Sequence, residues 1–266
     1  MEIWEGILLG LVQGFTEFLP ISSSGHLVLV QEIIGTSDDN VLLFDTLLHL
    51  ATLVAVCVAL RKQLLRIIKK PRKPLLMLIV ASIPAGIVGL LLSDKIEALF
   101  STTKYLWIFF AISAILLIVS DYIPSRSSEQ DQNLPLGSIG MQQAVAMGLM
   151  QAVAVLPGIS RSGSTIVGGI ATQGRRRDVT DFSFLMSIPI ILASVLLQTL
   201  KIAGGEVALS LPLAATLSGM IAATVSGYLS IKVMLGLVQK CKLKYFGVYL
   251  IVLSSIVLLN NFTCWW

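Results

Sequence analysis

Gly10-Leu-Val-Gln13-Gly-Phe-Thr-Glu17-Phe-Leu-Pro20-Ile-Ser22-Ser23-Ser24-Gly25-His26 stands near the start of the chain. At a spacing of 138 positions the chain carries Gly148-Leu-Met-Gln151, then Leu156-Pro157-Gly158-Ile159-Ser160-Arg161-Ser162-Gly163-Ser164-Thr165. Both stretches set serines, a glycine and an ionisable group inside otherwise apolar sequence. Polar and charged groups at membrane depth are expensive, so their presence is a functional signal. Finding them twice, in register, implies that two halves of the chain build one site together.

The surrounding sequence is that of a polytopic membrane protein. Mean hydropathy is +0.87, and 13% of residues are charged, about half the share usual in soluble domains. A bilayer crossing needs about 20 residues of apolar helix. Candidates lie at about 41–60, 74–92, 105–120, 180–200, 211–231 and 245–260. The net charge of +4 is therefore read through the placement of Lys and Arg in loops, and no nucleic-acid partner is expected. Cys57, Cys241 and Cys264 fit neither a disulfide framework nor a metal spacing and read as small apolar fillers. Glu2 and Glu5 occupy what would be the basic region of a signal peptide, which argues against a cleavable one.

Segments 3–19 and 27–35 differ from the spans. Each is short, and Pro20 with the serine–glycine run breaks them apart. Broken arms of this kind are tolerated at membrane depth where they are buried in protein or line a wet cavity. Residues 3–35 are expected to form a re-entrant hairpin, with 142–174 as its counterpart. The 138-residue offset also pairs Phe44 with Phe182, Leu47 with Leu185, Pro74 with Pro212, Gly89 with Gly227 and Leu91 with Leu229.

The expected fold is all-α: six transmembrane helices plus two re-entrant hairpins in one membrane domain. Its two repeats cover about 1–128 and 139–266, joined by a polar linker at 122–140. Three spans per half force the second repeat to sit inverted. Loop charge supports this, since seven basic residues crowd 61–73 and mark it as cytoplasmic. Alternation then puts Arg126, Arg175–Arg177, Lys232, Lys240, Lys242 and Lys244 on the same side. Lys95, Lys104 and Lys201 fall outside, and Arg161 lies in the second hairpin. Both termini are expected outside, with Trp265 and Trp266 as interfacial anchors.

The chemistry concentrates in the hairpins. Gln13 and Glu17 are four apart, hence on one helix face. Ser22–Ser24 sit where the second arm begins, and a helix start offers unpaired N–H groups and a positive dipole end to an anion. One serine there would read as a plain N-cap. Three serines with Glu17, His26 and a matching Ser-Arg-Ser-Gly-Ser-Thr outweigh that reading. The fork of Arg161 suits phosphate oxygens, and in the empty site it can pair with Glu17 across the repeat axis. Together these residues supply an anion clamp, a hydroxyl nucleophile, a proton carrier and a carboxylate, the parts needed for phosphoryl transfer. Asp45 and His49, four apart at the start of a span, read more readily as a satisfied interfacial pair than as catalysts.

The Gln13–His26 and Leu156–Thr165 motifs resemble the two signatures of the undecaprenyl-diphosphate phosphatase, or bacitracin-resistance protein, family. The resemblance covers essentially the whole chain. It implies an integral membrane hydrolase that removes the terminal phosphate of undecaprenyl diphosphate and so regenerates a cell-wall lipid carrier. It also implies a bacterial plasma-membrane location, a site open to the outer face, and dependence on a divalent cation, Mg²⁺ or Ca²⁺. Position by position, Glu17 and His26 match catalytic residues, Ser23 the proposed nucleophile and Arg161 the diphosphate-binding arginine. Ser22, Ser24, Gly25, Ser160, Ser162, Gly163, Ser164, Thr165 and Gln13 would bind phosphate, and Glu17 would hold the cation. Many members carry glutamate where this chain has Gln13, so the cation site here has one carboxylate fewer.

On this reading Ser23, deprotonated by His26, attacks the terminal phosphorus; His26 as nucleophile is the variant. Polyprenyl diphosphate and membrane lipids are the expected partners, and the reading is compatible with a homodimer. A lipid-phosphate flippase built on the same clamp is the alternative, since inverted repeats with broken helices suit alternating access. A different lipid phosphatase family with a Ser-Gly-His element is disfavoured, because no histidine follows His49.

Overall fold

A computed structural model describes residues 1–36, 41–69, 72–124, 139–205, 211–237, 242–263 and 265. Most of the linker with Arg126, and Lys70, Lys240, Cys241, Cys264 and Trp266, lie outside the described residues. The described chain is helical: α1 (Ile3–Phe18), α2 (Ser23–Ile34), α3 (Val41–Ala59), α4 (Arg61–Lys69), α5 (Arg72–Leu91), α6 (Ser93–Phe100) and α7 (Leu106–Ser120) form the first half. The second half comprises α8 (Met141–Val153), α9 (Arg161–Ala171), α10 (Arg176–Ala203), α11 (Leu213–Leu237) and α12 (Lys244–Thr263).

Helix starts follow the 138-residue offset in their capping chemistry. The Glu2 N–H donates to the Glu5 carboxylate at 2.6 Å, and the Gly140 N–H donates to the Gln143 amide oxygen at 2.7 Å. Each is the residue three positions in reaching back over an open first turn. Ser22 caps α2 by accepting from the Gly25 N–H, and Ser160 caps α9 by accepting from the Gly163 N–H. Local sequence thus sets four helix starts in two equivalent pairs.

Small residues let the halves interlock. α1 packs along α11, and α8 packs along α5. A Cβ on Gly10 would sit 2.1 Å from the Gly219 carbonyl oxygen, and one on Gly148 would sit 2.6 Å from that of Ala81. These two contacts are equivalent under the offset, so each broken arm leans on a long helix of the other half at backbone distance.

The opposite faces are apolar and outward. Leu213, Leu217, Ile221, Val225 and Leu229 run along the exposed side of α11. Leu75, Ile79, Ile83, Ile87 and Leu91, again 138 positions earlier, run along that of α5. Continuous exposed stripes of this kind are foreign to soluble monomers and fit a lipid surface. The chain is an all-helical, polytopic membrane protein.

Among the described residues, five helices are long and apolar enough to cross a membrane: Val41–Ala59, Lys73–Leu91, Arg176–Ala203, Leu213–Leu237 and Lys244–Thr263. The span expected at 105–120 is α7, with 15 residues, about 22 Å of helix against a hydrocarbon core of about 30 Å. It ends at Asp121, which accepts from Arg176 Nη2 and from the Lys244 N–H, both at 2.8 Å. That carboxylate ties the end of α7 to the starts of α10 and α12. The basic segment 61–73 is not a plain loop, since α4 occupies most of it. Cys57 is a free thiol on an exposed face.

Gly10→Ala should cost about 1–3 kcal/mol through overpacking against α11, seen as a lower unfolding midpoint in detergent. Gly89→Ala should be neutral, because a Cβ there meets nothing within 4 Å. Equal midpoints for the two variants would contradict the close packing.

Candidate active site

The two breaks meet. Between α1 and α2 the chain turns through Leu19–Ser22, and between α8 and α9 through Ala154–Ser160. A Cβ on Gly25 would lie 2.9 Å from Gly158 Cα, and one on Gly163 would lie 3.2 Å from Pro20 Cβ. These contacts are again equivalent under the offset. Ser162 Oγ donates to the Leu19 carbonyl at 3.1 Å, adding a cross-hairpin bond. The starts of α2 and α9 therefore come together inside the protein.

Glu17, on the last turn of α1, is the centre of what they enclose. It is 5% exposed and is engaged on both oxygens. Arg161, the first residue of α9, donates to its Oε1 through Nη2, forming an ion pair across 144 residues of sequence. Ser23 Oγ donates to Oε2 at 2.5 Å, and Gln13 Nε2 donates to the same oxygen at 3.0 Å. A buried charge needs such partners, because leaving it unpaired costs several kcal/mol. Arg161 reaches further with Nη1, which donates to the Ser183 carbonyl on α10 at 3.4 Å.

The remaining expected residues line the two first turns. Ser22 and Ser24 hydroxyls lie 3.4 Å apart beside Gly25. Ser160 and Ser162 hydroxyls lie 3.5 Å apart beside Gly163. Thr165 Oγ1 donates to the Arg161 and Ser162 carbonyls and lies 2.6 Å from Ser183 Oγ. Ser164 Oγ is buried without a hydrogen-bond partner among the described residues.

His26 is close in sequence but engaged elsewhere. Its Nδ1 lies 2.7 Å from the Ser22 carbonyl oxygen, and its Nε2 lies 2.7 Å from Tyr249 Oη on α12. The hydroxyl–imidazole pair expected of Ser23 and His26 is therefore replaced by a hydroxyl–carboxylate pair of Ser23 and Glu17. Three positions apart on α2, the two side chains share a face. They part because Ser23 is taken by Glu17 of α1, while both imidazole nitrogens are taken by the Ser22 carbonyl and Tyr249.

His49 is closer to the site than the sequence suggested. Its Nδ1 lies 2.7 Å from the Asp45 carbonyl oxygen, and its Nε2 lies 3.6 Å from Glu17 Oε2. The Asp45 side chain is buried and accepts from Gln31 Nε2 at 2.7 Å, so the interfacial pair expected of Asp45 and His49 is not formed between their side chains. Ser113 on α7 is a second residue the motifs do not reveal. It accepts from the Ser160 N–H at 2.9 Å and donates to the Gly158 carbonyl at 3.1 Å, pinning the second break.

A divalent cation suits this donor set. Hard cations take oxygen ligands, and Gln13 Oε1 is a buried amide oxygen without a partner among the described residues, beside the Glu17 carboxylate. Among the described residues no group of three or more His, Cys, Asp or Glu converges. Substrate and water oxygens would have to complete the shell.

The fold is that of a polytopic helical membrane protein, and it buries a carboxylate-bonded serine and an arginine fork at two facing helix starts, a donor set that suits an anion. The chain belongs to the family of the bacitracin resistance protein BacA, whose pattern it matches over residues 6–256. It is 40% identical over 261 residues to an undecaprenyl-diphosphatase of Carboxydothermus hydrogenoformans, covering 97% of both chains. It is 42% identical over 269 residues to one of Treponema denticola, covering 96% of both. A third, of Methanobrevibacter smithii, is 36% identical over 285 residues and covers 99% of both.

Because Arg161 bonds Glu17 and the Ser183 carbonyl with separate nitrogens, Arg161→Lys keeps the charge and loses the fork. Its affinity for inorganic diphosphate, measured by calorimetry in detergent, should fall by at least about tenfold, as expected when a bidentate guanidinium becomes a point charge. Unchanged affinity would contradict the clamp.

Proposed function

We propose that the protein is an undecaprenyl-diphosphatase, hydrolysing the lipid diphosphate to undecaprenyl phosphate and inorganic phosphate. This recycles the cell-wall lipid carrier and confers bacitracin resistance. The observation that carries the reading is the 2.5 Å bond from Ser23 Oγ to Glu17 Oε2, beside a guanidinium and at the meeting of two helix starts. A carrier needs an anion clamp but has no use for a serine bonded to a carboxylate base, which favours the enzyme over a flippase.

The lipid diphosphate enters laterally, its chain against the apolar helix faces and its head group between the two breaks. Arg161, Ser160, Ser162 and the N–H groups at the starts of α2 and α9 hold the phosphate oxygens. Ser23 gives its proton to Glu17 and attacks the terminal phosphorus. The Oγ–P bond forms as the bond to the bridging oxygen breaks, and undecaprenyl phosphate leaves. Water then cleaves the phosphoserine and releases phosphate. Glu17 and Gln13 Oε1 would hold Mg²⁺ or Ca²⁺, which would supply charge neutralisation for the phosphate oxygens. His26 stays bonded to the Ser22 carbonyl, and so fixes the helix start that carries Ser23.

In the membrane, α3, α5, α7, α10, α11 and α12 cross, and α1–α2 and α8–α9 are re-entrant hairpins inserted from opposite faces as an inverted repeat. Support comes from paired short arms: α1, α2, α8 and α9 have 16, 12, 13 and 11 residues, each under the about 20 that span a bilayer. Each folds back on its partner arm at a break, whereas α7, also short at 15 residues, packs along the 20-residue α12. The site opens to the outer face of the bacterial plasma membrane.

Purified protein in detergent should release phosphate from undecaprenyl diphosphate and lose that activity to a chelator. Ser23→Ala and Glu17→Gln should each slow release by at least about a hundredfold, the low end for losing a nucleophile or its base. Lipid binding without any release by the wild type would overturn the enzymatic reading and favour the carrier.

A further inference from the structure

Tyr249 lies on α12, 223 residues from His26 in sequence, yet the two side chains are bonded. The rings stack with centroids 5.8 Å apart and planes 8° from parallel. Phe110 of α7 meets the His26 ring edge to face, with centroids 5.6 Å apart. Three helices thus define the plane of one imidazole.

The hydrogen bonds define its protons as well. A carbonyl oxygen can only accept, so the nitrogen 2.7 Å from the Ser22 carbonyl, Nδ1, carries the hydrogen. In the neutral ring Nε2 is then the acceptor, and the Tyr249 hydroxyl donates to it at 2.7 Å. The consequence runs back along α2. Ser22 has φ 68° and ψ 94°, a conformation that L-residues rarely adopt and that persists where the surroundings over-determine it. The imidazole N–H on its carbonyl is one such restraint, and the next residue is Ser23.

We propose that Tyr249 is a positioning residue: its hydroxyl fixes the tautomer and plane of His26, and through the Ser22 carbonyl it sets the direction of Ser23. The inference rests on the phosphatase reading above and adds to it a residue from the last helix, outside both motifs. Tyr249→Phe removes one oxygen and keeps the stacked ring.

The chain has two histidines, so protein labelled with ¹⁵N-histidine in detergent gives two imidazole patterns, of which one is lost in His26→Ala. In Tyr249→Phe the His26 Nε2 resonance should move to the position of an unbonded acceptor nitrogen. kcat for phosphate release should fall about tenfold with KM within about twofold, the low end for losing an outer hydrogen-bond partner that orients a site residue. In the His26→Ala background, Tyr249→Phe should have no further effect, since it acts through the lost ring. Tyr245→Phe, one turn away and 63% exposed, should match the wild type throughout. The proposal is overturned if Tyr249→Phe leaves the Nε2 resonance and kcat unchanged, or slows the His26→Ala enzyme by the same factor as the wild type. Wild-type protein that releases no phosphate overturns the phosphatase reading and this role together, and the wild-type control alone distinguishes that result.

Discussion

The ion pair between Glu17 and Arg161 is the contact on which the site depends. It joins the last turn of α1 to the first residue of α9, and both side chains are largely withdrawn from solvent. Neither charge could remain there alone, because desolvating an unpaired ion costs more than packing can offset. The pair is therefore also a geometric constraint. Burying both groups obliges the two breaks to approach, and their approach puts Ser23 on the second oxygen of the same carboxylate. On the proposed mechanism, a substrate phosphate that takes over the guanidinium would leave that carboxylate free to accept the serine proton, so the resting pair and the reacting pair would be two uses of one arrangement.

The approach is possible because both breaks use the same backbone device. Ser22 and Ser160 cap, Gly25 and Gly163 let the opposite turn come within contact distance, and Gly10 and Gly148 lay the arms against α11 and α5. What differs is the chemistry mounted on the device. At equivalent positions under the 138-residue offset, Glu17 faces Val155, Ser23 faces Arg161 and His26 faces Ser164. One half carries the serine hydroxyl and carboxylate, the other the guanidinium. A single head group bound between them would meet unlike groups on its two sides, as an asymmetric diphosphate requires.

Much of this was legible in the sequence, for identifiable reasons. Pro20 and the serine runs marked the breaks, since a proline and a cap act on their own neighbours. Apolar runs marked the long helices, and the Glu17–Arg161 pair followed from the cost of two buried charges. The misses all concern partners far away in sequence. Nothing local to His26 points to Tyr249, so a pairing with the nearby Ser23 was the natural expectation. His49 reaches Glu17 because α3 packs beside α1, which a spacing of four to Asp45 does not encode. Likewise α7 is short because Asp121 closes it against residues of α10 and α12, and hydropathy alone cannot register that.

The most direct measurement is a double-mutant cycle on Glu17→Gln and Arg161→Gln, read as unfolding free energy in detergent. Each single change strands a buried charge and should cost about 3–5 kcal/mol. The double variant strands none, and should recover a large part of that loss. Losses that simply add would mean the two side chains do not share one buried environment, and the account of a site closed across two hairpins would fail.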